Sequence, residues 1–367
     1  MRNWRLGLAA ALTLAVGVGI LFLPGGGGER SVEWRVPELP GIALPKLDVL
    51  TGTQRDPWSA AFAAQDGLNA SVLEADGVVG TAVGLGPNGL PVVKVYLENP
   101  SITWLPMSYD GVAVVPEVLG EIWALGQNPV EAEVEGLLDP KTRFPRPVPI
   151  GVSTGQPDVT AGTIGARATD GSKLFALSNN HVFANSNDAK IGDNVLQPGR
   201  VDGGSNPDHS IGTLQDFEPI RFCAALSCPN NELDAAIAIT TAEKLGTATP
   251  ENGYGKPRST TAKGSLNMKV QKYGRTTGYT HGTITGIRAT ITVNYRTGKA
   301  RFVNQLVISG KGTFSQGGDS GSLIVSEAPG NLDRQPVGLL FAGSANSTIA
   351  NPIDPVLKRF GITIDGS

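Results

Sequence analysis

Short apolar runs alternate with glycine- and proline-rich turns along most of this chain. Val93, Val95 and Leu97 interleave with Lys94, Tyr96 and Glu98, the period of two that belongs to a half-buried strand. Val78 to Gly86 is a second strand-like run, and the Asn88-Gly89 pair between the two is a strong hairpin signal. One early stretch has a helical spacing instead. Trp58 to Ala75 is rich in alanine, with Phe62, Leu68 and Val72 as its apolar positions. Val112 to Val118 and Ile122 to Leu125 add strand material. Together these elements predict a small α+β module over residues 58–128.

The pattern then breaks. Residues 129–149 hold Pro129, Pro140, Pro145, Pro147 and Pro149, together with Glu131, Glu133 and Glu135. Prolines this dense block sheet pairing and predict an extended linker. From Ile150 to Ser367 short strands resume between glycine turns. Ala161 to Ala168, Leu174 to Leu177, Ile191 to Leu196, Ile211 to Leu214 and Ala235 to Ile239 form one group. Lys269 to Tyr273, Gly282 to Ile287, Thr290 to Tyr295 and Leu306 to Ser309 open a second, which continues through Leu323 to Val325 and Val337 to Ala342. Pro355 to Phe360 reads as a short closing helix.

Composition agrees with a turn-rich, mainly β protein. Glycine (48) and proline (26) are abundant, and charged residues make up only 17%. A net charge of −3 with no basic run leaves no electrostatic footprint for nucleic acid. At the start, Arg2 and Arg5 precede an uncharged stretch from Leu6 to Leu23. Residues 1–24 therefore read as an export signal, either a cleaved signal peptide or an uncleaved membrane anchor. Both readings place the bulk of the chain outside the cytoplasm, because the arginines stay inside. Residues 25–57 read as a Gly/Pro-rich tether. Cys223 and Cys228 flank four residues and either close a small disulfide loop in that oxidising space or remain free thiols. Neither has a partner at zinc-ligand spacing, so no metal site is expected.

The chemistry concentrates at Gln316-Gly317-Gly318-Asp319-Ser320-Gly321-Ser322. Here a serine sits in a small-residue turn leading into an apolar strand. In such a turn the N–H groups of Gly318 and Ser320 can converge as an oxyanion hole. A serine hydroxyl needs a base, and the base needs an orienting group. Of the three histidines, His209 and His281 lie in turn-like contexts, while His181 follows the apolar run before Ser178-Asn179-Asn180. Among the acids, Asp234 opens the apolar run Ala235 to Ile239, where an unpartnered carboxylate is costly and a histidine N–H satisfies it.

The order His181, Asp234, Ser320, with these flanks, resembles the trypsin-like (chymotrypsin-fold) serine peptidases. It is most similar to their bacterial branch with V8-like and HtrA-type members. The resemblance spans roughly Ile150 to the C-terminus. It implies two six-stranded antiparallel barrels in residues 150–367, a mainly β fold preceded by the small α+β domain. It further implies a serine endopeptidase that acts on protein or peptide substrates through a Ser-His-Asp triad and an acyl-enzyme, without a cofactor. The substrate pocket is then expected near Phe314, with walls from Phe341, Ala342, Gly343 and Ser344. No acid lies there, which argues against a preference for basic residues. Asp319 is expected to pair with an internal Arg or Lys, since Ile150-Gly151-Val152 is not the family's cleavage-and-insertion sequence. The module resembles the small domains that often precede such peptidases. It reads either as a folding or docking module or as a cleavable pro-domain or inhibitor. The alternative for the whole is a catalytically inactive or latent scaffold on the same fold. The sequence does not specify an oligomeric state.

Overall fold

The computed structural model describes residues 56–102, 104–125, 138–225, 227–310 and 313–367. The leader expected over residues 1–24, residues 25–55 of the tether expected over 25–57, the end of the module at 126–128 and residues 129–137 of the linker expected over 129–149 lie outside the described residues. No helix among the described residues is long and apolar enough to cross a membrane.

The first element is the helix Pro57–Val72. Asp56 caps it, its carboxylate accepting from the Ser59 N–H at 3.1 Å, and Pro57 occupies the first turn, where a missing N–H does no harm. Ala61, Ala64, Leu68 and Val72 make its buried face. That face packs on the hairpin Val78–Leu85 and Pro91–Leu97, which turns where the Asn-Gly signal places it, with Gly89 at φ +74°. The strand Val112–Val118 runs parallel to Pro91–Leu97.

Two sheets follow. The six-stranded sheet has the order Asn194–Leu196, Ser210–Phe217, Ala236–Thr240, Leu174–Ser178, Ala166–Thr169 and Thr363–Ile364, all antiparallel. The second sheet is built on Lys269–Gly274, Gly278–Tyr295, Gly298–Gly310, Leu323–Ser326, Pro336–Gly343 and Thr348–Pro352. The short helix Ile353–Phe360 then leads to the last strand. The fold is mainly β, with a helix ahead of the β sheets.

One feature of the second sheet has no local signal. The run read as two strands, 282–287 and 290–295, is a single strand of 18 residues, paired with the 13-residue strand Gly298–Gly310. Register shifts near Gly286 and Ala289 and a left-handed Arg288 (φ 50°) mark bulges that interrupt the apolar alternation without ending the strand. The outer part of this arm carries the module. Gly80 pairs with Ile291 and Thr81 with Thr290, so the module's strands join the second sheet, which with the short strand Asn230–Asn231 has twelve strands among the described residues. Gln65 donates to Arg288 O at 3.0 Å and Arg301 reaches Glu74 at 2.6 Å.

Beyond Val118 the chain bends at Gly120 (φ +81°) and returns toward the arm. Ile122 is fully buried among Ala289, Ile291, Tyr295, Phe302 and Phe341. The short strand Trp123–Ala124 lies parallel to the arm at Asn294 and antiparallel to Ala342 and Gly343.

A Cβ on Gly80 would stand 2.3 Å from the Thr290 carbonyl oxygen. Gly80→Val should therefore loosen the join between module and arm at a cost of about 1–3 kcal/mol. The expected result is a lowered Tm and faster amide exchange in residues 78–85 and 289–293, with the six-stranded sheet unaffected.

Candidate active site

The strand Leu174–Ser178 ends at Asn179, and the single helical turn Asn180–Phe183 projects His181. Asp234 stands just before the strand Ala236–Thr240, which pairs with Leu174–Ser178. Adjacent strands of one sheet thus bring the two residues together. His181 Nδ1 lies 2.6 Å from Asp234 Oδ2, and the His181 backbone N–H donates to Oδ1 at 3.2 Å. A carboxylate only accepts, so Nδ1 carries the proton and Nε2 is left as the basic nitrogen. Asn179 Nδ2 donates to the Asp234 carbonyl at 2.7 Å, and the Asp234 N–H donates to Asn351 Oδ1 at 2.9 Å. Both side chains of the pair are fully buried.

Sequence reasoning missed Tyr295. Its hydroxyl donates to Asp234 Oδ2 at 2.8 Å, and its ring meets the imidazole edge-on at a centroid distance of 5.9 Å. Burial first, and then the charge of Asp234, push this phenol well above its ordinary value of 10.0. Tyr295 therefore stays protonated and donates. It comes from the turn end of the arm, where it pairs with Gly298, sixty-one positions from its partner, and nothing in its flanks distinguishes it from an ordinary core tyrosine.

The nucleophile turn is held by strong local constraints. Gly318 and Gly321 have φ of +102° and +94°, the left-handed region that disfavours a side chain. Space forbids one as well. A Cβ on Gly318 would lie 2.4 Å from Thr276 Oγ1, and one on Gly321 would lie 2.1 Å from Ser178 Oγ. Between them the Asp319 carboxylate is buried and accepts from the N–H groups of Thr276 (2.8 Å), Thr277 (3.2 Å) and Gln316 (2.9 Å) and from Thr277 Oγ1 (2.7 Å). The expected internal cation is Lys272, with Nζ at 3.5 Å from Asp319 Oδ2. Burial pulls the Lys272 ammonium below its ordinary value, and the Asp319 carboxylate opposes that pull. Ile150 is buried, its N–H given to the Ala248 carbonyl at 3.0 Å, so no freed amine at that position is needed to satisfy Asp319.

Thr163 ties the two sheets together at this point. Its N–H donates to Ser320 O at 2.7 Å, its Oγ1 donates to Gly318 O at 2.9 Å, and its carbonyl accepts from Ser178 Oγ at 2.8 Å. The His181–Asp234 pair is thus in direct contact, and Thr163 joins Ser320 to Ser178, at the end of the strand that leads to His181. The Ser320 hydroxyl donates to the Phe341 carbonyl at 3.0 Å. The Gly318 N–H points at the Leu125 carbonyl oxygen, 2.5 Å away. Phe314 and Phe341 are buried, and the Lys272 ammonium stands 5.9 Å from the Phe314 ring centre. Ala342 and Gly343 pair with Ala124 and Trp123, while Ser344 closes a turn with Ser347. Cys223 and Cys228 are joined as a disulfide, in a loop whose Cys223 N–H docks on the arm at Lys299 O, 2.7 Å away. Among the described residues no cluster of three or more metal-ligating side chains occurs.

Residues 206–361 match the model of Peptidase family S64. No curated protein matches the chain. Among solved structures, a glutamic acid specific serine protease is 22% identical, covering 59% of this chain and 100% of its own at a TM-score of 0.42. Protease A of Thermobifida fusca is 20% identical over 60% of this chain and 100% of its own, at 0.43. A chymotrypsin of Cellulomonas bogoriensis is 19% identical over 60% and 99%, at 0.41. At these scores none of the three bears on chemistry or specificity here.

Two substitutions probe the supports. Lys272→Met leaves the Asp319 charge buried without its cation, and should lower stability by about 3–5 kcal/mol, read by denaturant unfolding. Tyr295→Phe removes a hydrogen bond to a charged acceptor, worth about 1.5–3 kcal/mol, and should lower kcat/KM about tenfold or more while the fold persists. It should also change the alkaline limb of stability. The folded chain keeps the Tyr295 proton past the pH at which the unfolded chain releases it. That contribution is complete below the ordinary phenol value and is lost as pH rises above it. Tm of the parent should therefore fall more steeply above pH ~10 than Tm of Tyr295→Phe.

Proposed function

We propose that the chain is a serine endopeptidase working outside the cytoplasm, with Ser320 as nucleophile, His181 as general base and acid, and Asp234 as the orienting carboxylate. The observation that carries this reading is the buried 2.6 Å contact between His181 Nδ1 and Asp234 Oδ2 in register with the Gly318–Gly321 turn. It sets the tautomer the chemistry requires. Nε2 takes the Ser320 proton as Oγ attacks a peptide carbonyl, and later delivers it to the leaving amine. The backbone N–H groups of Gly318 and Ser320 bear the developing oxyanion, a role in which one donor is worth on the order of 10²–10³ in rate. Asp319 and Lys272 keep that turn in shape without reaching the reacting atoms.

The substrate is a polypeptide. The substrate region expected from the resemblance, Phe314 and Phe341 to Ser344, holds no charged side chain, which favours uncharged side chains at the cleaved position. The uncharged stretch 6–23 behind Arg2 and Arg5, together with the Cys223–Cys228 bond, supports the extracytoplasmic placement. The latent form of the same fold is favoured by one observation, the complete burial of Ser320 and near-complete burial of His181.

A fluorophosphonate probe tests the reading. It should label the purified protein at Ser320, and labelling should vanish in Ser320→Ala. Asp234→Asn should keep the fold and lower kcat by roughly 10⁴ through the wrong tautomer. Well-folded protein that neither reacts with the probe nor cleaves any peptide would assign the chain to the inactive scaffolds.

A further inference from the structure

The donor that the proposed reaction needs at Gly318 sits on a peptide with little of its own to hold it. Gly317 and Gly318 flank that bond, and glycines let a peptide plane rotate at low steric cost. In a planar trans peptide the C=O and the N–H point in opposite directions. Turning the plane over would aim the Gly317 carbonyl oxygen into the cleft and take the Gly318 N–H out of it. A developing negative charge would then meet an oxygen instead of a donor.

The plane is held from behind. Thr276 Oγ1 donates to the Gly317 carbonyl at 2.6 Å. Thr163 Oγ1 donates to the next carbonyl, that of Gly318, at 2.9 Å. Both hydroxyls accept from one residue. Arg275 gives an Nη1 hydrogen to Thr276 Oγ1 at 3.1 Å and its backbone N–H to Thr163 Oγ1 at 3.0 Å. An arginine only donates and a carbonyl only accepts, so each threonine proton is directed to its carbonyl. With both carbonyls taken, the Gly318 N–H faces the cleft, where the Leu125 carbonyl oxygen accepts it. The missing side chain of Gly318 allows this approach, since a Cβ there would stand 2.9 Å from Arg275 Cδ and 3.1 Å from Nη1.

Arg275 is aimed from the other sheet. Its Nε donates to Asp202 Oδ2 at 2.8 Å and its Nη2 donates to Oδ1. Asp202 lies between the strands Asn194–Leu196 and Ser210–Phe217. Ser153 Oγ, which accepts from the Gly199 N–H at 2.9 Å, donates to the same carboxylate at 2.5 Å. Both side chains of the pair are almost wholly buried. A guanidinium gripped along one edge by a carboxylate has its plane fixed, and Nη1 is left to meet Thr276.

We propose that Arg275 and Thr276 are positioning residues for the oxyanion donor. They hold the Gly317–Gly318 peptide in the orientation that presents the Gly318 N–H to the carbonyl under attack, and Asp202 sets the aim of the guanidinium. This rests on the reading of Ser320 as nucleophile. Neither residue touches the reacting atoms, so their loss weakens the transition state and leaves substrate binding as it was.

The full chain and its Thr276→Val, Thr276→Ser and Arg275→Lys variants are compared by thermal unfolding, by the rate of fluorophosphonate labelling, and by kcat and KM on a peptide the parent cleaves. The phosphoryl oxygen of the probe meets the same donor as a substrate oxyanion. Valine keeps the shape of threonine without its hydroxyl. Thr276→Val should label and turn over about 10²-fold more slowly with KM unchanged. Thr276→Ser should recover most of that loss, because its hydroxyl spans the same two partners. Arg275→Lys keeps a cation beside Asp202 but lacks the fork that also reaches Thr276, and kcat should fall about tenfold. A folded Thr276→Val that labels at the parental rate overturns the inference. A Thr276→Ser no faster than Thr276→Val, or a loss confined to KM, overturns it too. If Thr276→Val does not fold, a parental kcat in Arg275→Lys overturns it and a lowered kcat at parental KM supports it. In each of these cases a parent that labels at Ser320 leaves the peptidase reading standing. A folded parent that neither labels nor cleaves any peptide overturns that reading and the inference with it.

Discussion

The buried carboxylate of Asp319 is the constraint on which the site depends. A charge with no access to water is tolerated only when hydrogen bonds and a countercharge replace its hydration. Here three backbone N–H groups, one hydroxyl and the Lys272 ammonium do so. Three of those donors belong to Thr276 and Thr277 at the end of one strand, and the fourth to Gln316 at the entry of the turn. The carboxylate therefore pins the turn to the sheet on both of its flanks. Gly318 and Gly321 are then forced into left-handed backbone, which turns the Gly318 N–H to face the cleft. The countercharge comes from a lysine of the same sheet.

The second dependence runs through the long arm. It pairs with the module at Thr290 and Ile291, and its turn end, where Tyr295 pairs with Gly298, supplies Tyr295 to Asp234. Phe302, paired with Ile291, packs on Phe341 at 4.8 Å, and Phe341 supplies the carbonyl that both Ser320 and Leu125 use. One continuous strand thus connects the docking of the module with the support of Asp234 and His181. Ile122 fills the space between, so the residues leading to Leu125 are core residues as well as cleft occupants. Protein interiors this closely packed transmit displacement rather than absorb it. Loss of the segment would reach the arm, and movement of the arm would reach the cleft.

Thr163 has a different part. It belongs to neither motif, yet all three of its polar groups are used to join the strand that leads to His181 with the turn that bears Ser320. A threonine suits the place because its hydroxyl donates to Gly318 O while it also accepts from the Arg275 N–H at 3.0 Å. His181 and Ser320 follow and precede strands of two different sheets, and hydrogen bonds through Thr163, more directional than apolar packing, join those segments.

The local parts of this architecture were legible in the chain. Asp56 before Pro57, Asn88-Gly89 between alternating runs, and glycines on either side of Asp319-Ser320 act over a few residues, and their physics is contained in those residues. His181, Asp234 and Ser320 stood out as candidates for the same reason, each sitting in a short context that an ordinary core position does not need. Tyr295, Lys272 and Thr163 carried no such mark, because a buried hydroxyl or ammonium is identified only by the partner it meets. The join of Gly80 to Ile291 and the seating of Leu125 on Gly318 and Phe341 were hidden for a stronger reason. Each pairs backbone groups more than 190 positions apart, and backbone groups are the same in every residue. By itself the sequence determined which segments are strands, which turn is tight and which side chains are able to react. Only the tertiary structure decided which strand edge each segment would find, because a free edge accepts any extended partner that the rest of the packing delivers to it.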